Sequence, residues 1–179
     1  MKMRALLLMV AILAAGAALP AQEPVVGVKD PESLFKDANP KLNKNKQAAL
    51  HIMRELLQCN QWDRAGEWLT KAYHQHNPNA ASGLDGVVTY FTKVMNRKPT
   101  ANCGKLTTEV VAVMADGDYV TVLTPRKYPD PRTTGKEYYT SWFDTWRFVD
   151  GKADEHWDPA MITAPAAPAP AAKAPARGR

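Results

Sequence analysis

The stretch Asp144-Thr145-Trp146-Arg147-Phe148-Val149-Asp150-Gly151-Lys152-Ala153-Asp154-Glu155-His156-Trp157-Asp158 decides how this chain folds. Two aromatic-rich runs flank Asp150-Gly151, and Asp-Gly in that setting signals a β-hairpin, because Gly supplies the positive φ that a two-residue turn needs. Side chains alternate along a strand. Asp144 therefore shares a face with Trp142, Trp146 and Phe148, while His156 shares one with Asp158. Carboxyl groups and an imidazole set among tryptophans are hard to explain as solvated surface; if these faces line a cavity they make a site, and if they face water they do not.

Upstream of the hairpin the hydrophobic period is also two. Thr108, Val110, Ala112 and Met114 alternate with Glu109, Val111, Val113 and Ala115, and Asp116-Gly117 turns the chain into Tyr119–Leu123. A long loop is expected over Arg126–Lys136, where Pro129, Pro131 and Gly135 fall, followed by strands over Tyr138–Val149 and Ala153–Asp158. The half before these strands reads as helical. Ala48, Ile52 and Leu56 form a stripe within Lys44–Cys59, and Asp63 is a candidate N-cap for a helix through Trp68 and Leu69 to Ala72. Ser82 and Asp85 open a third helix to Asn96. Helices followed by an antiparallel sheet of about four strands make an α+β layer arrangement.

At the termini, Lys2 and Arg4 precede an apolar run from Ala5 to Leu19, the pattern of a secretory signal over residues 1–21. An uncleaved anchor is the alternative, although a membrane span needs about 20 apolar residues. Residues 22–43, with Pro24, Pro31 and Pro40, read as a linker to a domain over 44–162. The Ala/Pro-rich tail at 163–179 lacks the side chains to build a core and is expected to be disordered. A periplasmic or secreted protein with no stable membrane span after signal removal is the expectation.

The net charge of +5 is misleading. Of 23 Lys and Arg, two lie in the signal and three in the tail, which leaves 18 against 18 acidic residues in the body. Nucleic-acid binding, which needs a clustered basic face, is not expected. Cys59 and Cys103 would meet an oxidising compartment, where they form one disulfide or remain as two buried thiols. His51 lies near an apolar helical stripe and reads as a satisfied, partly buried histidine. His74 and His76 have the i, i+2 spacing of a strand metal site, but no further ligand is near in sequence and a catalytic zinc site needs three, so no metal is expected. His76 and Asn77, before Pro78, either tie down a turn or point into a cavity.

Taken together, Tyr73-His74-Gln75-His76-Asn77-Pro78, Gly83, Ala115-Asp116-Gly117-Asp118-Tyr119-Val120, Asp144-Thr145-Trp146-Arg147 and Gly151–Asp158 resemble the SnoaL-like family of the nuclear transport factor 2-like superfamily. The resemblance runs over about Lys44 to Ile162. It implies a cone-shaped α+β barrel, three helices on a curved antiparallel sheet with a pocket at the open end. It also implies aldol-type ring closure without metal or cofactor, with an acid/base aspartate at Asp158 and a polar partner at Asp144. Ala153, His74 and Pro159 depart from the family's usual residues, and an exported chain departs from cytosolic polyketide assembly.

The expected catalytic residues are thus Asp158, Asp144 and His156, and the expected binding residues are Tyr73, His76, Asn77, Trp142 and Trp146. Two functions fit: a cofactor-independent lyase or isomerase acting on a small apolar carbonyl compound, and a non-catalytic module that binds a small hydrophobic ligand. Relatives also form homodimers through the sheet, which leaves protein association as a third reading. Against a site stands a plain structural account, in which Asp158 caps a strand end, Glu155 pairs with Arg147 and His156 merely packs.

Overall fold

The structure is a computed structural model that describes residues 22–162, so the expected signal and tail lie outside the described residues. Among these, five strands form one open, curved sheet in the order β1-β5-β4-β3-β2. They are β1 (Leu69–Gln75), β2 (Ala112–Asp116), β3 (Tyr119–Pro129), β4 (Glu137–Val149) and β5 (Lys152–Trp157). The deciding hairpin is present: β4 and β5 join through Asp150 (φ 53°) and Gly151 (φ 84°), both left-handed as a type I′ turn requires. The expected α+β layering holds, with helices packed on one side of the sheet.

The sheet differs from expectation in its edge. Residues 69–75, expected to end a helix and a turn, form a fifth strand that runs parallel to β5, with His74 opposite Glu155 and Gln75 opposite His156. The helix that Asp63 was expected to cap is only a 3₁₀ turn, Trp62–Arg64, followed by α2 (Ala65–Trp68). Sheet pairing wins here because helix propensity is worth only a fraction of a kcal/mol per residue. Leu69 and Tyr73 gain burial at 2% and 3% exposure in exchange. β3 also runs past the expected loop start, pairing Arg126 with Thr140 and Tyr128 with Tyr138.

The first helix, α1 (Pro40–His51), starts earlier than expected, with Pro40 in its first turn and the Asn39 side chain accepting from the Lys41 and Leu42 amides. It widens into a π-helical stretch over Ile52–Gln58. α3 (Leu84–Thr89) does the same over Tyr90–Val94. Its cap is Gly83 at φ 87°, not Ser82, whose hydroxyl instead accepts the Gln75 amide at 3.0 Å. Both π-helical stretches line the large cavity described below, as such stretches often do at sites.

Residues 22–43 are not merely a linker. A 3₁₀ turn at Pro31–Phe35 delivers Phe35 into the core with no exposed surface, and Gln47 Nε2 donates to the Phe35 carbonyl at 2.8 Å. Phe35 joins Leu56, Val87, Val110, Val120, Val122 and Trp146, the largest wholly buried apolar side chains. Cys59 and Cys103 form a disulfide that ties the end of the first helix to the irregular segment before β2 across 44 residues. In the chain-entropy account a loop of that length stabilises by about 4 kcal/mol.

His51 is satisfied, as expected. Its Nδ1 lies 2.6 Å from Glu55 Oε1 and its ring stacks on Trp68 at 3.9 Å. Glu55 also accepts from Trp68 Nε1 at 3.0 Å and pairs with Arg64 at 3.0 Å. Burial pushes its carboxyl up, but the hydrogen bonds from His51 and Trp68 and the nearby charges outweigh that and hold it below the ordinary value of 4.5. A carboxyl depressed in the folded state stabilises the fold above its unfolded value and stops doing so as pH falls through the lower folded value. The thermal unfolding temperature should therefore fall on acidification below pH 4.5, and Glu55→Gln should flatten part of that fall. Parallel pH curves for both proteins would refute the assignment.

Candidate functional site

Between the helices and the concave face of the sheet lies a cavity of about 960 Å³. The curvature of the long β3–β4 pair makes the concave face, and the two π-helical stretches make the opposite wall. Ile52, Met53, Leu56 and Leu57 come from the first helix, Tyr90 and Phe91 from the third, and Phe91 stacks on Trp62 at 3.9 Å.

Asp144, His156 and Asp158 all line this cavity, and the donor atoms they offer lie within 4.8 Å of one another. The hairpin register brings this about. Trp146 pairs with His156, which places Asp144 one alternation away on the same concave face. A β-bulge between Arg147 and Phe148 then shifts the phase of β5, so Ala153 and His156, three residues apart, both face inward. Asp154 and Glu155 face out, where both bind Arg147, with Glu155 Oε2 at 2.9 Å from Nε. That pairing is the one the structural account of the sequence expects, and it coexists with the site.

Hydrogen bonds join the two carboxyls into one chain of contacts. Asp158 Oδ2 accepts from Asn77 Nδ2 at 2.7 Å, and the Asn77 amide donates to Gln75 Oε1 at 3.0 Å. Gln75 Oε1 also lies 2.8 Å from His156 Nδ1, which the network therefore assigns as an N–H donor. His156 Nε2 faces Asp144 Oδ1 at 3.2 Å, and Trp142 Nε1 donates to that same oxygen at 3.2 Å. With Nδ1 a donor, a single proton between Nε2 and Oδ1 is what makes their approach favourable. Asp144 and His156, each 6% exposed, form a buried hydrogen-bonded pair.

Tyr73 completes the polar end. Its hydroxyl accepts from Trp146 Nε1 at 3.3 Å, and burial pushes the phenol far above its usual value, so it remains a neutral O–H. Asp158 is only partly buried, and its Oδ1 accepts the Ala160 amide at 3.0 Å, so it caps the strand end while lining the cavity. Trp157 does not bury it: that ring lies on the outer face, stacked on His76 at 5.1 Å.

Of the expected binding residues, Tyr73, Asn77, Trp142 and Trp146 line the cavity, whereas His76 does not. His76 is exposed on the convex face, with Nε2 2.9 Å from Glu155 Oε1. Hydrogen bonds from His76 and then Arg147 hold the Glu155 carboxyl below its usual range. Once β1 is a strand, alternation explains the split: Tyr73, Gln75 and Asn77 point in, and His74 and His76 point out. Gln75 was not expected at the site, and its signal was this period of two within a stretch that reads as the end of a helix. The donor set of Asp144, His156 and Asp158 also has the spacing to hold a cation, which the i, i+2 histidines do not supply. None of the helices among the described residues is long and apolar enough to cross a membrane.

The sequence model of the SnoaL-like domain matches residues 52–156. No curated protein matches the chain. Similar solved structures include a protein assigned as a polyketide cyclase from Acidithiobacillus ferrooxidans, 17% identical, covering 69% of this chain and 89% of that one at a TM-score of 0.48. Another, from Jannaschia sp. CCS1 and assigned as a SnoaL-like polyketide cyclase, is 18% identical over 69% of this chain and 91% of that one, with a TM-score of 0.47. An NTF2-like protein of unknown function from Cytophaga hutchinsonii is 12% identical over 64% and 94%, with a TM-score of 0.43.

Proposed function

The chain belongs to the SnoaL-like domain family, and from that premise we propose that it is an exported acid/base lyase or isomerase of the aldol or keto–enol type, acting on a small apolar carbonyl compound. One observation carries this reading: the convergence of Asp144, His156 and Asp158 at the polar end of an otherwise aromatic and aliphatic cavity. Such a cavity, mostly apolar with a few converging polar groups, is the usual form of a small-molecule site.

The chemistry starts with the substrate carbonyl directed at the Asp144–His156 pair and the neutral Tyr73 hydroxyl. The Asp158 carboxylate, oriented by Asn77 and the Ala160 amide, removes a proton from the carbon next to the carbonyl. The electron pair moves onto the carbonyl oxygen, which takes the proton held between Asp144 and His156. In isomerisation the enol returns that proton and Asp158 reprotonates a different carbon. In the aldol direction the enol carbon attacks a second carbonyl of the same molecule; the first carbonyl re-forms and returns its proton to the Asp144–His156 pair, while the new alkoxide receives the proton from Asp158. Both routes balance without redox change. Export fits the Cys59–Cys103 disulfide, since such bonds persist in oxidising compartments.

A purely binding role has one observation in its favour: both Asp158 oxygens already accept hydrogen bonds. Deuterium uptake from D₂O separates the two readings. With the methyl ester of naphthoylpropionate as a neutral aryl ketone, the protein is expected to accelerate exchange at the carbon next to the ketone. Exchange at the buffer rate with the probe demonstrably bound overturns the enzyme and leaves the binder.

A further inference from the structure

Four of the six arginines among the described residues are committed to carboxylates. Arg54 pairs with Glu32 and Glu55, Arg64 with Glu55 and Glu67, Arg132 with Asp130, and Arg147 with Asp154 and Glu155. The two left over, Arg97 and Arg126, are both exposed and both line the large cavity. They approach from different walls. Arg97 follows the end of the third helix, and Arg126 stands on β3 opposite Thr140. No lysine or glutamate lines the cavity, so its charged residues are these two cations and the carboxyls Asp144 and Asp158.

The two signs differ in burial, with Asp158 partly buried between the extremes. Asp144 is buried with His156, whereas the arginines are solvated at the opening. Trp142 spans the interval. Its Nε1 donates to Asp144, and the Arg126 guanidinium lies over the same indole at 5.2 Å from the ring centroid. A guanidinium held against an aromatic face keeps its in-plane N–H donors free for an oxyanion. An anionic group is favoured beside the exposed arginines over the carboxyl groups, which biases the ligand toward one orientation.

We propose that the ligand is an amphipathic acid: a planar or apolar carbonyl compound bearing a carboxylate or phosphate-type anion, with that anion clamped between Arg97 and Arg126 and the carbonyl at Asp144, His156 and Asp158. This rests on the site reading given above but names the ligand's chemical class, and a binder would obey it as well as an enzyme. The ligand lies along Trp142, so the anion and the carbonyl are separated by about one indole length.

The test is a comparison of three probes by quenching of tryptophan fluorescence: naphthoylpropionate, its methyl ester and the corresponding phosphonate. The acid is expected to bind at least about tenfold tighter than the ester, the scale of one charge-assisted contact. Arg126→Gln and Arg97→Gln should each remove most of that preference while shifting ester affinity less than about twofold, and added salt should weaken the anions alone. If the phosphonate exceeds the carboxylate, the natural anion is of the phosphate type; the reverse order names a carboxylate. Equal binding of acid and ester, no binding of the acid, or a preference that survives the double variant overturns the proposal. Because the readout is affinity and not proton exchange, the clamp can fail while Asp158 still acts as a base, and the reverse holds too.

Discussion

Asp158→Asn is expected to slow deuterium exchange into the ketone probe by about a thousandfold, within the roughly 10²–10⁴ that a positioned general base contributes. Asparagine keeps the shape, loses the capacity to take a proton and has one acceptor oxygen where aspartate has two. Its carbonyl oxygen can keep the bond from Asn77 Nδ2 or the one from the Ala160 amide and gives up the other, so an unchanged thermal unfolding temperature is the control that the fold is retained. Probe affinity should change less than about threefold, because an interaction used only in the transition state does not enter ground-state binding. The companion variant Asp144→Asn separates the roles. It alters the contact with His156, and exchange should fall while the remaining rate still drops on adding Asp158→Asn. Full activity in Asp158→Asn would remove that residue as the base. If only Asp144→Asn were then inactive, the base would be the buried pair.

Phe35→Ala is expected to destabilise the domain by about 3–5 kcal/mol, the usual cost of deleting a fully buried aromatic ring. Phe35 has no exposed surface, and the turn that carries it is fastened to α1 through Gln47 and through the Lys46–Asp37 pair at 3.0 Å. A residue in a solvated linker would change stability by less than about 0.5 kcal/mol. Denaturant unfolding monitored by tryptophan fluorescence distinguishes the two at once. A value near zero would mean that the domain begins after residue 43, as its proline-rich composition suggests.

How far the sequence could be read depended on whether the deciding contacts are local. The Asp150-Gly151 turn and the alternation of Trp142, Asp144 and Trp146 are set by neighbours in the chain, and they were legible. β1 was not. Leu69–Gln75 pairs with a strand more than 80 residues away, and no local period announces a parallel partner. Missing that strand hid Gln75 and left His76 and Asn77 undivided, although only Asn77 lines the cavity. The bulge opposite Arg147 was also invisible, although it sets which of Ala153, Asp154 and Glu155 turns inward. The arginine clamp is a third case. Arg97 and Arg126 stand out only once every other described arginine is seen to have a carboxylate.

By itself the sequence determined the layer class and the C-terminal hairpin, because turn chemistry and strand alternation act over a few residues; whether the faces of Asp144 and Asp158 line a cavity depended on the tertiary fold. Tertiary structure alone decided that the sheet has a parallel fifth strand, that Phe35 belongs to the core, and that Gln75 and Asn77 connect His156 to Asp158. The physical reason is that burial and long-range pairing outweigh local propensity by several kcal/mol per element, and those terms exist only after distant segments have met.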